Sequence, residues 1–365
     1  MEKIKVAIFF GGRSAEHEIS LLSAVNVIKT ISKAKYEIIP IGIDKKGIFY
    51  VYNLKKEFIL NPDDPKKICL AKGGESVTFG FGRSREMVGL VNRKLKVKIG
   101  VAFPILHGSN GEDGTIQGLF KTADIPFVGA GVLGSAICMD KDIAKKLLLA
   151  TGLAVADSIT FGIWNRREID FEKISKKLGL PFFVKPCNAG SSVGVSKVKN
   201  KKSFDRLVRL AFEYDNKILF EKEIIGKEIE CSVLGNEQPI ASWPGRVSPK
   251  REFYSYEAKY LDDDGAVFEI PAKLPRSIVN KIKQTAIKAY RTLGCEGMAR
   301  VDGFLTEDNV FIINEINTIP GFTAISMYPK LWSESGLNYT NLLDELIQLA
   351  IKRWQRDDKI KTFYN

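Results

Sequence analysis

The sequence predicts an α/β fold: an N-terminal domain with a βαβ unit on a parallel sheet, followed by two α+β modules. Three observations carry this. The chain opens as strand, glycine turn, helix and strand; its middle and end alternate short apolar runs with helix-period segments; and 365 residues, 45% of them apolar, suffice for two or three separately cored domains. The elements divide the chain near 1–128, 129–222 and 223–365.

Val6 to Phe10 is a continuous apolar run closed by Gly11-Gly12, and Ile19 to Ile31 sets Leu22, Val25 and Ile28 at helical spacing. Tyr36 to Ile43 alternates as a second strand, which completes the βαβ unit and implies a parallel sheet. Residues 45–98 mix turn signals, Asn61-Pro62-Asp63-Asp64-Pro65 and Gly73-Gly74, with basic stretches and read as a β excursion. Val101 to Leu106 is another strand, Gly114 to Ala123 a short helix and Ile125 to Val128 a last apolar run. Beyond Gly129, Met139 to Ala150 reads as one Lys- and Leu-rich helix that Ala154 and its neighbours follow. Phe182 to Lys185 is a strand, Ser203 to Tyr214 a helix, and Ile218 to Phe220 a strand running into Glu221. The last module alternates strands (Ile229 to Leu234, Val267 to Ile270, Met298 to Leu305, Val310 to Ile316) with helices at Ser277 to Leu293 and Asn341 to Gln355.

Composition narrows the function classes. Charged residues at 27% come with 10% aromatics, which excludes disorder as the main theme. Five dispersed cysteines without a CxxC pair give neither a disulfide framework nor a zinc site, and they point to a reducing cytoplasm. No apolar run reaches the ~18 residues of a membrane span, so no membrane partner is expected. Lys plus Arg number 55 against 43 Asp plus Glu, a formal charge of +12 that admits anionic ligands. No nucleic-acid-binding signature accompanies that charge, and nucleic acid is not an expected partner.

Several strings carry chemistry. Gly129 to Gly134 matches GxGxxG, but Pro126 shortens the strand before it and Ala154 stands where an acidic residue would hold a ribose. Gly190-Ser191-Ser192-Val193-Gly194 follows the Phe182 to Pro186 strand. Its backbone N–H groups and hydroxyls suit phosphate oxygens with Lys185 as a point charge alongside, and the same string also reads as a surface turn. Asp302 ends one strand, while Glu315 and Asn317 end the next and share a face at period two. Hard oxygen donors in that arrangement suit Mg²⁺ bridging nucleotide phosphates. The turn from Thr318 to Thr323, with Ser326, lies next to these ligands, and its N–H groups together with Arg300 suit a developing oxyanion. Near the front, Ser14 is placed to cap the helix behind Glu16-His17-Glu18. His107 opens a glycine-rich polar loop that also reads as a plain strand-to-helix connection.

Taken together, GGRSAEHEIS (11–20), HGSNGEDG (107–114), MDK (139–141), KPCNAGSSVG (185–194), YEAKY (256–260), GCEGMARVD (294–302) and NEINTIPGFT (314–323) resemble the D-alanine–D-alanine ligases, a family with the ATP-grasp fold. The resemblance runs from Gly11 to Ser326. It implies two modules gripping ATP and ATP-driven joining of two D-alanines for cell-wall precursors. It assigns Lys141, Lys185, Ser191 and Ser192 to ATP, Glu221 to the adenine, Glu228 to the ribose, and Asp302, Glu315 and Asn317 to two Mg²⁺, or Mn²⁺ in their place. Glu16 would meet the first D-alanine's ammonium, with His107 close by, and Lys259 and Ser326 the second D-alanine's carboxylate. Arg300 and the Gly321 N–H would stabilise the oxyanion, and Ser191 and Tyr260 would join Glu16 in closing the site. Tyr260 in YEAKY resembles the dipeptide-forming members rather than those using D-lactate, which carry His in that loop; D-serine as second substrate stays open. Cys187-Asn188-Ala189 departs from members with a charged residue before Gly190. A homodimer is the assembly the family implies.

Overall fold

The computed structural model describes residues 2–80, 82–249, 266–323, 325–361 and 364. The chain opens with β1 (Ile4–Gly11), α1 (His17–Thr30) and β2 (Tyr36–Ile43), the expected βαβ unit with its strands parallel. Residues 45–98 then supply β3 (Phe49–Val51), a two-residue pair β4 (Ile59–Leu60) and β5 (Cys69–Leu70), β6 (Glu75–Phe79), β7 (Glu86–Gly89) and β8 (Lys96–Lys98). The chain returns through β9 (Val101–Ile105), parallel to β1, and α2 (Thr115–Thr122). The resulting sheet runs β8-β7-β6-β3-β2-β1-β9, so the β excursion extends a parallel core with antiparallel strands.

The apolar run in β1 has no polar side because both faces are covered. Val6, Ile8 and Phe10 belong to one core, and Ala7 and Phe9 to another on the opposite face. The first of these cores continues into the C-terminal part of the chain through Phe322, Tyr328, Leu342, Leu346 and Ile347. Buried Arg353 adds a stitch between the two parts, donating to the carbonyls of Phe127 at 2.7 Å and Gly129 at 2.6 Å.

The helix expected from Met139 to Ala150 is α4 (Lys141–Ala150), and a separate helix that was not expected, α3 (Val132–Met139), precedes it. Asp140 breaks the run in an extended conformation, and its carboxylate accepts the N–H groups of Asp142 and Ile143, each at 3.1 Å. Such a cap contributes about 1 kcal/mol and makes Lys141 the first helical residue. Then come β10 (Ser158–Gly162), α5 (Phe171–Leu178), β11 (Phe182–Pro186), β12 (Ser196–Val198), α6 (Lys201–Phe212) and β13 (Lys217–Lys222). Their four strands form an antiparallel sheet ordered β10-β13-β11-β12. Phe171, Phe182, Phe204 and Phe220 hold it together with ring centroids 5.3 to 6.3 Å apart. Each such aromatic pair adds about 0.5–1.5 kcal/mol beyond its buried area.

The last sheet contains β14 (Lys227–Gly235), β15 (Ile240–Ala241), β16 (Gly245–Pro249), β17 (Ala266–Glu269) and, after α7 (Arg276–Thr292), β18 (Gly297–Leu305) and β19 (Phe311–Asn317). Its order is β17-β16-β14-β18-β19, with β15 beside β14. Helices α8 (Met327–Glu334) and α9 (Tyr339–Asp357) close the chain. The register between β18 and β19 shifts at Asp302/Gly303: Glu315 faces Asp302, Ile313 faces Gly303, and Asn314 is the extra residue. A bulge of this kind re-aims the side chains beside it. Among the described residues, no helix is long and apolar enough to cross a membrane.

Candidate active site

Both antiparallel sheets line one cavity of about 520 Å³. Lys185 on β11 and Glu221 on β13 project into it, and the Lys185 Nζ lies 2.5 Å from one Glu221 oxygen and 3.3 Å from Asn314 Oδ1. The other Glu221 oxygen lies 2.5 Å from Lys145 Nζ on α4. Burial opposes the Glu221 charge, and the pull of Lys185 and Lys145 outweighs it, so the carboxyl sits below the usual range. Lys145 itself is pushed down by burial, against the attraction of Glu221. Lys141, one helical turn before Lys145, donates to the Ala189 carbonyl at 2.7 Å and lies 3.5 Å from Glu315 Oε2. Glu228 and Ser192 line the same cavity.

Asp302, Glu315 and Asn317 come together as expected from the period-two argument. Asp302 is opposite Glu315, and Asn317 Nδ2 donates to Asp302 Oδ2 at 2.7 Å. Arg300 grips Asp302 as a fork, Nε to Oδ1 at 2.8 Å and Nη2 to Oδ2 at 2.7 Å. Two carboxylates at the cavity wall and a carboxamide beside them, all buried or half-buried, form a hard-oxygen donor set that fits a divalent cation. Turning the Asn317 amide over would present its oxygen. Among the described residues, no three of His, Cys, Asp or Glu gather as a metal cage. A cation here would therefore complete its shell with water and the phosphates it bridges, the usual habit of Mg²⁺.

The N-terminal loops meet the 190–194 loop, whose Gly190 and Ser192 line the cavity. Helix α1 begins at His17 with Glu16 in the capping position, two residues past the expected cap Ser14, whose hydroxyl accepts the Glu16 N–H at 3.1 Å. Glu16 is buried, and Ser191 of the 190–194 loop donates to its carboxylate. Ser191 and Ser192 both adopt left-handed backbone, at φ 49° and 60°. For non-glycine residues this costs roughly 1–2 kcal/mol each and persists where surrounding contacts over-determine it.

His107 lies behind the Ile319 to Phe322 turn. Its Nδ1 is 3.0 Å from the Ile319 carbonyl oxygen and its Nε2 is 3.3 Å from Ser23 Oγ. Glu112 clasps the same turn, accepting the Ile319 N–H at 3.2 Å and, on its other oxygen, the Gly108 N–H at 2.8 Å. Burial, with Glu16 nearby, pushes the Glu112 carboxyl up to about 8. At Gly321 a side chain would run into Ser326 Oγ at 2.7 Å, and that hydroxyl also accepts the Thr323 N–H at 3.0 Å. Lys259 and Tyr260 lie outside the described residues.

Known proteins resemble the chain over nearly its whole length. Residues 5–130 match the family model "D-ala D-ala ligase N-terminus", and residues 147–348 match "D-ala D-ala ligase C-terminus". The chain belongs to the D-alanine–D-alanine ligase family. It is 51% identical over 361 residues to the D-alanine–D-alanine ligase of Oceanobacillus iheyensis, covering 99% of this chain and 98% of that one. The solved D-alanine–D-alanine ligase of Coxiella burnetii superposes with a TM-score of 0.86 at 39% identity, over 98% of this chain and 97% of that one. A D-Ala:D-Ser ligase from Enterococcus faecalis follows at 0.84 and 37%, over 96% of this chain and all (100%) of its own. A family member from Bacillus anthracis, solved with ATP, gives 0.72 at 27%, over 97% and 99%. The ATP-grasp fold expected from the motifs is thus the fold of the chain.

Sequence reasoning missed two cavity residues, Asn314 and Glu230, and Lys145, which pairs with the cavity residue Glu221. Lys145 had a usable signal, since it stands one turn after Lys141 and so shares its helix face. Asn314 reaches Lys185 only because of the bulge, which the sequence does not announce.

Proposed function

We propose that the protein is an ATP-dependent ligase that joins two D-alanines through a D-alanyl phosphate, supplying D-alanyl-D-alanine for peptidoglycan precursors. One observation carries the reading: buried Lys141 and Lys185 share a cavity with Asp302 and Glu315, and Ser191 of the loop above it reaches Glu16 of the N-terminal domain. Cations suited to phosphate, oxygen donors suited to Mg²⁺ and a carboxylate suited to an amino acid's ammonium thus meet at one place.

A carboxylate is a poor electrophile at neutral pH. In the first step an oxygen of the first D-alanine's carboxylate attacks the γ-phosphorus of ATP, and ADP leaves. The second D-alanine, as its free amine, then attacks the acyl carbon. The tetrahedral centre collapses with loss of phosphate, and the attacking nitrogen gives up a proton. Asp302, Glu315 and Asn317 would hold Mg²⁺, which supplies neutralisation of phosphate charge. Lys141 and Lys185 orient the triphosphate, Glu16 holds the first ammonium, and Arg300 with the Gly321 N–H faces the oxyanion. The Gly190 loop excludes water that would hydrolyse the acyl phosphate.

The test is phosphate release with product identification by mass spectrometry. Release is expected to require D-alanine and Mg²⁺ and to yield D-alanyl-D-alanine. Unchanged release with L-alanine refutes the substrate assignment. A mixed D-alanyl-D-serine product in a D-alanine and D-serine mixture would favour the second reading, which the likeness to the Enterococcus enzyme motivates.

A further inference from the structure

Arg300 is asked to do two things that conflict. It grips Asp302 through both carboxylate oxygens, at 2.8 and 2.7 Å, and Asp302 is the residue a cation would claim. A divalent ion at Asp302 withdraws electron density from those oxygens and repels a guanidinium held this close. Unless something else holds Arg300, arrival of the metal frees the group that faces the reacting carbonyl.

The sheet register supplies that holder. Glu230 on β14 is opposite Asp302 on β18, which is opposite Glu315 on β19, so three carboxylates form one row across three strands. Arg300 stands two residues before Asp302 on the same face, and its Nε lies 2.9 Å from Glu230 Oε2. Glu230 is 7% exposed and lines the nucleotide cavity. It sits on the far side of β18 from Glu315 and Asn317, away from the other metal donors.

We propose that Glu230 is a positioning residue: it keeps Arg300 aimed at the reacting centre while the metal occupies Asp302. This rests on the ligase reading above. It has a reciprocal consequence. Arg300 and the cation compete for Asp302, and each weakens the other's hold by the same factor. Glu230 draws the guanidinium away from Asp302, and so favours the metal. With Glu230 neutralised, the guanidinium charge falls on Asp302 alone and metal affinity drops.

The experiment uses the full-length protein with a non-hydrolysable ATP analogue and follows Mn²⁺ binding by electron paramagnetic resonance, beside steady-state kinetics. Glu230→Gln is expected to raise the Mn²⁺ dissociation constant about fivefold or more, the low end of coupling between linked sites. It should lower kcat about tenfold to a hundredfold, as for a misplaced catalytic group, and leave KM for ATP nearly unchanged. Glu230→Asp, which keeps the charge, should retain near-normal Mn²⁺ affinity even where kcat falls. In an Arg300→Met background, Glu230→Gln should no longer change Mn²⁺ affinity. Wild-type Mn²⁺ affinity in Glu230→Gln, or an equal loss with and without Arg300, overturns the proposal. Failure of the ligase reading would appear separately, as wild-type protein that makes no dipeptide from D-alanine and MgATP.

Discussion

Protonating His107 should unfasten the turn that carries Gly321. A carbonyl oxygen can only accept, so Nδ1 facing Ile319 carries the ring proton, and Nε2 receives the Ser23 hydroxyl. Ser23 Oγ in turn accepts the Phe322 N–H at 3.4 Å. Burial, reinforced by the Arg300 charge and only partly offset by the Ile319 carbonyl, lowers the histidine from 6.5 to about 4. Its folded pKa is depressed, so the unfolded chain takes up the proton first as pH falls. The stability it contributes is fully present above pH 6.5 and is lost progressively towards pH 4. The difference corresponds to about 3 kcal/mol, most of it already gone at about pH 4.5. The measurement is urea denaturation of wild type and His107→Asn near pH 7.5 and 4.5. Asparagine keeps an N–H donor for the turn and does not titrate. Wild type should lose about 2–3 kcal/mol more than the variant over that interval. Glu112, raised from 4.5 to about 8, works in the opposite direction, its contribution falling as pH rises through that window. It is present in both proteins, so the subtraction removes it. An equal loss in wild type and His107→Asn would refute the reasoning.

Glu221→Gln leaves the Lys145 and Lys185 ammonium groups, each now 2.5 Å from a Glu221 oxygen, buried without their counter-charge. The ligand-free protein should lose about 3–5 kcal/mol in a denaturant titration, and wild-type stability would show that the triad is not a stabilising unit. Glu315→Gln removes the negative charge and one of the two oxygens of a donor at the cavity wall and should lower turnover by about a hundredfold or more, since the metal contributes several kcal/mol to phosphoryl transfer. Normal turnover at low Mg²⁺ in that variant would remove Glu315 from the metal site.

Strand positions were legible where burial imposes a pattern. The Val6 to Phe10 run is apolar throughout because two cores claim its alternate residues, and β14, β18 and β19 likewise reveal themselves through residues such as Ile229, Val301 and Ile313. Asp302, Glu315 and Asn317 could be placed together because charge and amide groups stand out in otherwise apolar strands, although Asp302, expected at a strand end, lies inside β18. What failed to show were features that depend on distant partners. Lys145 looks like a solvated helix lysine until Glu221 lies beside it. Helix α3 is hidden because its start falls in the glycine-rich string Gly129 to Gly134, and the cap at Asp140 separates it from α4. Strand β10 carries too little periodicity of its own and is fixed by pairing with β13, whereas helix α5 went unread although Phe171, Ile174 and Leu178 stand at helical spacing; Phe171 packs against Phe182 and Phe204.

The glycines around Glu16 tie these two levels together. Read locally, Gly108 and Gly190 are loop glycines in HGSNGEDG and KPCNAGSSVG, and turn chemistry alone would account for them. In the fold, a Cβ at Gly108 would lie 2.6 Å from Glu16 Oε2, on a backbone already at φ 70°. A Cβ at Gly190 would lie 3.0 Å from the same oxygen. Glu16 is buried because two loops, more than eighty residues apart in sequence, close on its carboxylate without side chains of their own. Ser191 can then reach the other oxygen. The surroundings of Glu16 are therefore shaped by missing Cβ atoms as much as by the groups that line them, and that constraint becomes visible only when both loops are seen against Glu16.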